Sequence, residues 1–302
     1  MQSACSRIVL LFFLGIAFSS LVAQETLARP DQPGLPPATD AKEIVRRAIE
    51  TDQRNWALAR NYTCQERVAE KRLDNQGAVK SQVIKTYDVT IYYDEPYRRL
   101  VQMNDKPLAE KEEKKEEEKL DKLISRRKGE SQQERQKLLE KQEKQRQEDR
   151  AFARDVINAY DFRMAGEEQI EGRGVYVIEA IPRKDFHPTQ PHADILSKVR
   201  GKAWIDKTDY GWVKIQVEVI DTISFGLFLA RIHKGSHLEL EQARINNEIW
   251  LPRRIVVDAS ARLMLLVNGA FEQESTFTNY KKFTATFRFI PEPQPVQPGP
   301  PK

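Results

Sequence analysis

Val213-Lys214-Ile215-Gln216-Val217-Glu218-Val219 decides the fold: every odd position is Val or Ile and every even position is polar. A period of two puts successive side chains on opposite faces of a strand, so one face is buried and the other wet. Upstream, Lys198 to Ile205 has strand character and enters this segment through the turn Asp206-Lys207-Thr208-Asp209. Before that, Val175 to Ile181 follows the turn Glu171-Gly172-Arg173-Gly174. Downstream come Ser224 to His233, His237 to Arg244, Glu248 to Asp258, Arg262 to Gly269, Phe271 to Tyr280 and Phe283 to Phe289, at the short spacing of an antiparallel meander. From about Asp161 to Ile290 the chain therefore reads as strand after strand. Leu227-Phe228-Leu229 and Leu263-Met264-Leu265-Leu266-Val267 are apolar at every position and should be covered on both faces.

The N-terminal half adds helices, which makes the class α+β. Asp40-Ala41-Lys42-Glu43 has the spacing of a capping box. Ile44, Val45, Ala48, Ile49, Asp52 and Trp56 then recur at helical intervals, predicting an amphipathic helix from Ala41 to about Ala59. Tyr62 to Leu73, a turn at Asp74-Asn75-Gln76-Gly77, and Val83 to Tyr93 predict a hairpin with one apolar side. Together with the later segments this makes about ten strands. Between the two β regions, Ala109 to Arg150 is densely charged and rich in helix formers. Gly129 followed by Ser131-Gln132-Gln133-Glu134 gives a stop beside a new capping box, so two helices are expected, about Leu108 to Arg127 and Gln132 to Tyr160. They would form a protruding hairpin with arms of about 30 Å, with one continuous rod as the alternative, and their thin apolar stripe also fits a solvated insertion with no partner.

The ends have different chemistry. Arg7 precedes the apolar run Ile8 to Phe18, and Leu21-Val22-Ala23 precedes polar Gln24, the order of a secretory signal over residues 1–23. Residues 24–39 are a Pro-rich linker, 40–290 a single β-rich domain carrying the charged insertion at about 108–160, and 291–302 a second Pro-rich tail. After loss of the signal no segment is long and apolar enough to be expected to span a membrane. Cys64 is then a lone thiol, expected to be a small buried hydrophobe held in a domain without disulfide staples. The 302 residues include 49 basic and 45 acidic side chains, a formal charge of +4, and the two signs are interspersed. No field of one sign marks a nucleic-acid partner.

Catalytic and metal signatures are not visible. The sequence has four histidines. His233 and His237 flank a turn and His187 and His192 share one loop, two pairs where zinc needs three or four convergent ligands. No G-x-S-x-G elbow, H-E-x-x-H helix, Gly-rich phosphate loop or C-x-x-C pair occurs. No carboxylate stands in an obviously apolar setting, so no raised pKa and no cofactor is expected. Aromatic residues, by contrast, crowd the neighbouring strands: Trp204, Trp212, Trp250, Phe271, Phe277, Phe283, Phe287 and Phe289. A curved sheet this wide holds a lid or a ligand on its inner face, unless those aromatics simply fill a core. Candidate cavity residues are Trp56, Ile215, Val217, Phe228, Phe271 and Phe287.

The export signal, the N-terminal amphipathic helix and the meander containing G-K-A-W-I-D-K-T-D-Y-G-W-V-K-I-Q-V-E-V (Gly201 to Val219) resemble the periplasmic outer-membrane lipoprotein-sorting proteins, the LolA/LolB-like superfamily. Ile249 to Asp258, I-W-L-P-R-R-I-V-V-D, is similar to a strand that follows in its members. The resemblance covers Ala41 to Tyr93 and Phe162 to Phe289. It implies an incompletely closed antiparallel β-barrel with a helical lid and an apolar interior that receives acyl chains. The charged insertion departs from the pattern. The expectation is a non-enzymatic periplasmic carrier or sensor binding an acyl lipid or lipoprotein. The alternative is an envelope scaffold that reaches a protein partner through residues 109–150.

Overall fold

The computed structural model describes residues 40–74, 76–92, 95–225, 230–263 and 267–283. Helix α1 (Ala41–Ala59) leads into β1 (Tyr62–Leu73), β2 (Val79–Tyr92), β3 (Glu95–Met103) and the short β4 (Lys106–Pro107). Helices α2 (Glu110–Lys128) and α3 (Gln132–Ala159) follow, then β5 (Tyr160–Ile170), β6 (Arg173–Pro182), a 3-10 helix (Ala193–Lys198), β7 (Val199–Asp206) and β8 (Trp212–Val219). The chain continues through β9 (Ile223–Phe225), β10 (Ala230–Ile232), β11 (His237–Ile245), β12 (Ile249–Leu263) and β13 (Val267–Lys282). Among the described residues no helix is long and apolar enough to cross a membrane.

All described strand pairings are antiparallel and form one sheet in the order β4-β3-β2-β1-β13-β12-β11-β8-β7-β6-β5, with β9 and β10 joined to it through β12. The sheet is not closed; β4 and β5 are its edges. Its first and last long strands meet in the middle, β1 pairing with β13 from Tyr62↔Lys282 to Leu73↔Ala270. Where one strand was expected over Ser224 to His233, β9 and β10 pair with each other instead, and the segment between them lies outside the described residues. The expected strand Phe283 to Phe289 lies outside them too, apart from Phe283.

The alternation read from β8 extends across the sheet. Ala203, Ile215, Leu240 and Ile255 stand side by side on β7, β8, β11 and β12, and so do Gly201, Val217, Leu238 and Val257. On the opposite face the matching rows are Lys202, Gln216, Glu239, Val256 and Arg200, Glu218, His237, Asp258. Along these rows one face is apolar and the other mostly charged, but at the β6–β8 end the second face also buries Val175, Val177, Trp204, Val213 and Trp250.

Helices lie on the apolar face. Asp40 caps α1 by accepting from the Lys42 amide (3.3 Å), but the box is incomplete, because Glu43 turns to Arg46 and Arg47. Ala41, Ile44, Val45 and Ala48 are buried against Tyr176, Ile178, Ile205 and Tyr210. Ile44 is fully buried, worth about 1.5–3 kcal/mol over exposure. At the other end of this face, Ala159 and the half-buried Phe152 and Val156 of α3 join Ala193 and Leu196 of the 3-10 helix over Val199, Val219 and Ile223. Ser131 and Glu134 complete the expected capping box at the start of α3. Helix α2 meets the sheet at β3, where Glu116 accepts from the Leu100 amide (3.4 Å).

The turn after β7 fixes α1 in place. Asp206, fully buried, accepts from Thr208 and Asp209 amides and from Arg173 (2.6 Å). Asp209 in turn receives the Trp250 indole N–H (3.0 Å) and pairs with Arg244. From the same turn the Asp209 carbonyl accepts from Thr51 of α1 (3.0 Å), and Tyr210 receives Arg47 (3.0 Å). Gly211 is required here: a Cβ would lie 2.6 Å from Cε2 of Trp250 and closer still to its indole nitrogen.

Candidate functional site

Two features could act on another molecule, and they lie on opposite faces. On the charged face a trough of about 700 Å³ runs across β6, β7, β8, β11 and β12 between the two polar rows. Its charges answer one another across strands: Arg200 with Glu218 (2.6 Å), and Arg254 (3.3 Å) and Lys214 (2.8 Å) with Glu239. Gln216 also donates to Glu239 (2.6 Å). These are the paired, partly exposed contacts of a wet sheet face, worth little individually. Among the described residues that line the trough there is no Ser, Thr, Cys or Tyr. Among the described residues no group of three or more His, Cys, Asp and Glu could hold a metal ion.

The second feature is the apolar face beneath α1 and α3. Of the residues expected to line a cavity, Ile215 and Val217 both project to this face, half-buried, and Val217 packs against the α3 cluster. Phe271 stands on the same face of β13 opposite Ala259, also half-buried. Trp56 belongs to α1, but its side chain lies outside the described residues, as do Phe228 and Phe287. The structure thus brings Ile215 and Val217 together on neighbouring inward positions and puts Phe271 three strands away. The described residues expected to line a cavity lie on this face, whereas the trough opens on the other one, although its lining also includes Val217. Val256 and Ile181 are the apolar side chains that border it from that face.

One carboxylate corrects the expectation that none sits in an apolar setting. Asp52 continues the buried row Ala41, Val45, Ala48 on α1, and burial pushes its carboxyl up to about 7. It is half-buried and keeps some solvent-reachable surface. The helical spacing that contained Asp52 was visible in the sequence; its significance was hidden because acidic residues usually take the solvated side of such a helix.

Two other buried groups are structural. Burial, then the nearby Glu66, push the Cys64 thiol up to about 12, leaving it unreactive. Glu66 is itself raised by burial, against the pull of Arg98 at 2.7 Å. Arg98 lies over the Tyr87 ring at 4.2 Å, so this part of the apolar face is closed by an ion pair and a cation–π contact near α2.

No protein-family model and no curated protein matches the chain. Solved structures similar to it include one described as an outer membrane lipoprotein-sorting protein domain from Vibrio parahaemolyticus, 11% identical over 82% of this chain and 94% of that one, with a TM-score of 0.31. A LolA superfamily protein from Nitrosomonas europaea is 12% identical over 82% of this chain and 95% of its own, with a TM-score of 0.29. A chain of the Pseudomonas aeruginosa MucA/MucB complex is 11% identical over 82% and 100%, with a TM-score of 0.23. The first two descriptions name the superfamily that the Gly201 to Val219 pattern resembles. At these scores nothing about binding passes to this chain.

Proposed function

We propose that this chain is an exported, non-enzymatic carrier or sensor of the bacterial envelope that holds acyl chains, of a lipid or a lipoprotein, against the inner face of its open sheet. The observation that carries this reading is the pair of unbroken apolar rows on β7, β8, β11 and β12, backed on the outer side by charge. Helix α1 lies on that face, clamped by Thr51 and Arg47 to one turn, a geometry suited to a lid that an acyl chain slides beneath. Transfer of an acyl chain from water is worth about 0.8 kcal/mol per methylene, so tight binding needs no catalytic group. The leader-like residues 1–23 support export to the periplasm.

The test is native mass spectrometry of the chain purified from an envelope fraction without detergent, then denaturation and lipid extraction. A discrete added mass that separates as a lipid or acylated peptide supports the carrier. The variant Ile215→Asp sharpens it: Ile215 belongs to the apolar row but to none of the described buried clusters, so the fold should survive while the added mass disappears. Retention of the ligand by folded Ile215→Asp refutes the reading. A second reading, an envelope scaffold, is favoured by the exposure of the charged side chains along α2 and α3. In that case the lipid mass is missing and a partner is lost on removal of residues 109–150.

A further inference from the structure

Over the whole chain the two charge signs are interspersed, but on α2 they are sorted by side. The side turned to the protein is marked by its contacts. Glu116 is buried and accepts from the Leu100 amide of β3 (3.4 Å), Glu117 faces Arg99 (3.8 Å), and Leu120, Leu123 and Ile124 are half-buried. Helical spacing adds Glu110 and Glu113 to this side. The opposite side carries Lys111, Lys115, Lys119, Lys122 and Arg126, a row at successive steps of three or four residues that runs about 22 Å along the helix. All five are exposed. Lys119 bonds to Glu116 on its own helix, whereas Lys111, Lys115, Lys122 and Arg126 have no ion-pair partner among the described residues. Glu112 and Glu118 stand only at the margins of the row.

This sorting works against α2 as a helix. A solvated helix gains by placing opposite charges one turn apart, whereas Lys111 and Lys115, Lys115 and Lys119, and Lys122 and Arg126 are like-charge pairs at that spacing. The helix dipole accounts for Arg126 in the last turn but disfavours Lys111 in the first. Packing on β3 does not call for the row either, because the contacts there are made by the other side of the helix. Its use therefore lies outside the chain. A rigid partner would need matched shape, and α2 has no aromatic residue on which a base could stack. A lipid surface needs neither: it is flat over the length of the row, and its anionic head groups attract each basic side chain that comes near.

We propose that the exposed side of α2 is an electrostatic docking surface for a membrane rich in anionic phospholipid, with Lys111, Lys115, Lys122 and Arg126 as its contacts. The assignment is independent of what the inner face of the sheet holds. Each basic side chain near such a surface strengthens binding by about fivefold, and the attraction fades within about 10 Å at moderate salt. Four neutralised contacts therefore weaken binding by about a hundredfold or more.

The experiment is co-sedimentation of the chain, purified from an envelope fraction, with vesicles of phosphatidylcholine alone or with about 40% phosphatidylglycerol, at about 50 and 500 mM salt. Two variants are compared, each with folding verified by circular dichroism. One carries Lys111→Gln, Lys115→Gln, Lys122→Gln and Arg126→Gln. The other removes the same charge from exposed positions of α3, by Arg135→Gln, Lys137→Gln, Lys141→Gln and Lys144→Gln. The expected result is binding to the anionic vesicles alone, abolished by high salt, weakened about a hundredfold by the α2 variant and kept within about tenfold by the α3 variant. Equal binding to both vesicle types, or an α3 variant as weak as the α2 variant, overturns the assignment. So does a wild type that ignores anionic vesicles, including one that instead binds duplex DNA through the same row.

Discussion

Substituting Gly211 with alanine tests whether the turn after β7 is the clamp that holds α1. Gly211 donates to Asp209 Oδ1 (3.0 Å) and its carbonyl accepts from the Asp206 amide (2.9 Å), so it closes the turn from both sides. The added Cβ would fall 2.6 Å from Cε2 of Trp250, where carbon–carbon contact needs about 3.5 Å, so the indole must retreat by about 1 Å or the turn must open. Trp250 is 4% exposed and has little room to retreat. Forcing it aside costs about 1–3 kcal/mol as overpacking. Losing its N–H bond to the Asp209 carboxylate costs about 1.5–3 kcal/mol more. The smaller backbone entropy of alanine in the unfolded chain returns only about 0.5 kcal/mol. The net loss is about 2–5.5 kcal/mol, a large part of the 5–15 kcal/mol typical of a domain. Urea unfolding followed by circular dichroism measures it. Because Asp209 also accepts from Thr51, amide exchange over Ala41–Ala59 should accelerate in the same variant. The double variant Gly211→Ala, Trp250→Phe removes the obstacle and should be less destabilised than the sum of its parts by at least about 1 kcal/mol. A Gly211→Ala protein within about 1 kcal/mol of wild type, or an additive double variant, would show that Trp250 is not what requires glycine there.

Asp52→Asn should alter the pH dependence of stability in one direction. The folded carboxyl, at about 7, titrates above its ordinary value of 3.8, so the fold binds the proton more tightly than the unfolded chain and is progressively disfavoured as pH rises between those values. The variant should match wild type near pH 4 and exceed it above pH 7 by up to about 4 kcal/mol, at 1.36 kcal/mol per unit; parallel urea curves at pH 5 and pH 8 refute this. Ile44→Ala, at a fully buried site in the α1 cluster, should cost about 2–5 kcal/mol by the same assay, and a cost under 1 kcal/mol would mean that α1 is not docked. Replacing residues 109–150 by a flexible linker should leave lipid retention intact, because the side chains of α3 that cover the sheet, Phe152 and Val156, lie beyond them. Loss of bound lipid in the folded deletion would refute that separation of roles.

What the sequence made legible was local. Strand β8 followed from period two, and so did its inward Ile215, Val217 and Val219, but a register shift at its start turns Val213 to the other face, against Trp204; α1 followed from its apolar spacing, and the start of α3 from Ser131 and Glu134, which pair as the box requires. Strand β3 was missed because Pro96 and the pair Arg98-Arg99 interrupt its alternation; in the structure it lies next to the sheet edge, where proline is tolerated. Its turn carried a signal that could have revealed it: Asn104 and Asp105 both adopt positive φ, 52° and 58°, the conformation of a tight hairpin turn that Asn and Asp enter readily. Glu43 shows the reverse case. It has the spacing of a capping partner, yet two arginines one turn ahead hold its carboxylate, lowering its pKa to about 2 through the hydrogen bonds from Arg46 and then Arg47.

The candidate site was half legible for a physical reason. Alternation within β8 assigns Ile215 and Val217 to one face, but what covers that face depends on pairings between residues far apart in the chain. Val217 meets α3 and the 3-10 helix, while Ile215, two residues away on the same face, belongs to no described cluster. A sequence pattern cannot separate these two valleys of one strand, because both are β-branched, inward and flanked by polar neighbours. Asp52 is subject to the same limit from the other side. Its spacing put it on the apolar stripe of α1, but a carboxylate at the margin of a stripe is ordinarily solvated, and only the sheet beneath the helix turns the position into an enclosed one. Both positions are thus settled by packing between distant parts of the chain: Ile215 stands beside Ala203 and Leu240 on the sheet, and Asp52 continues the buried row of α1.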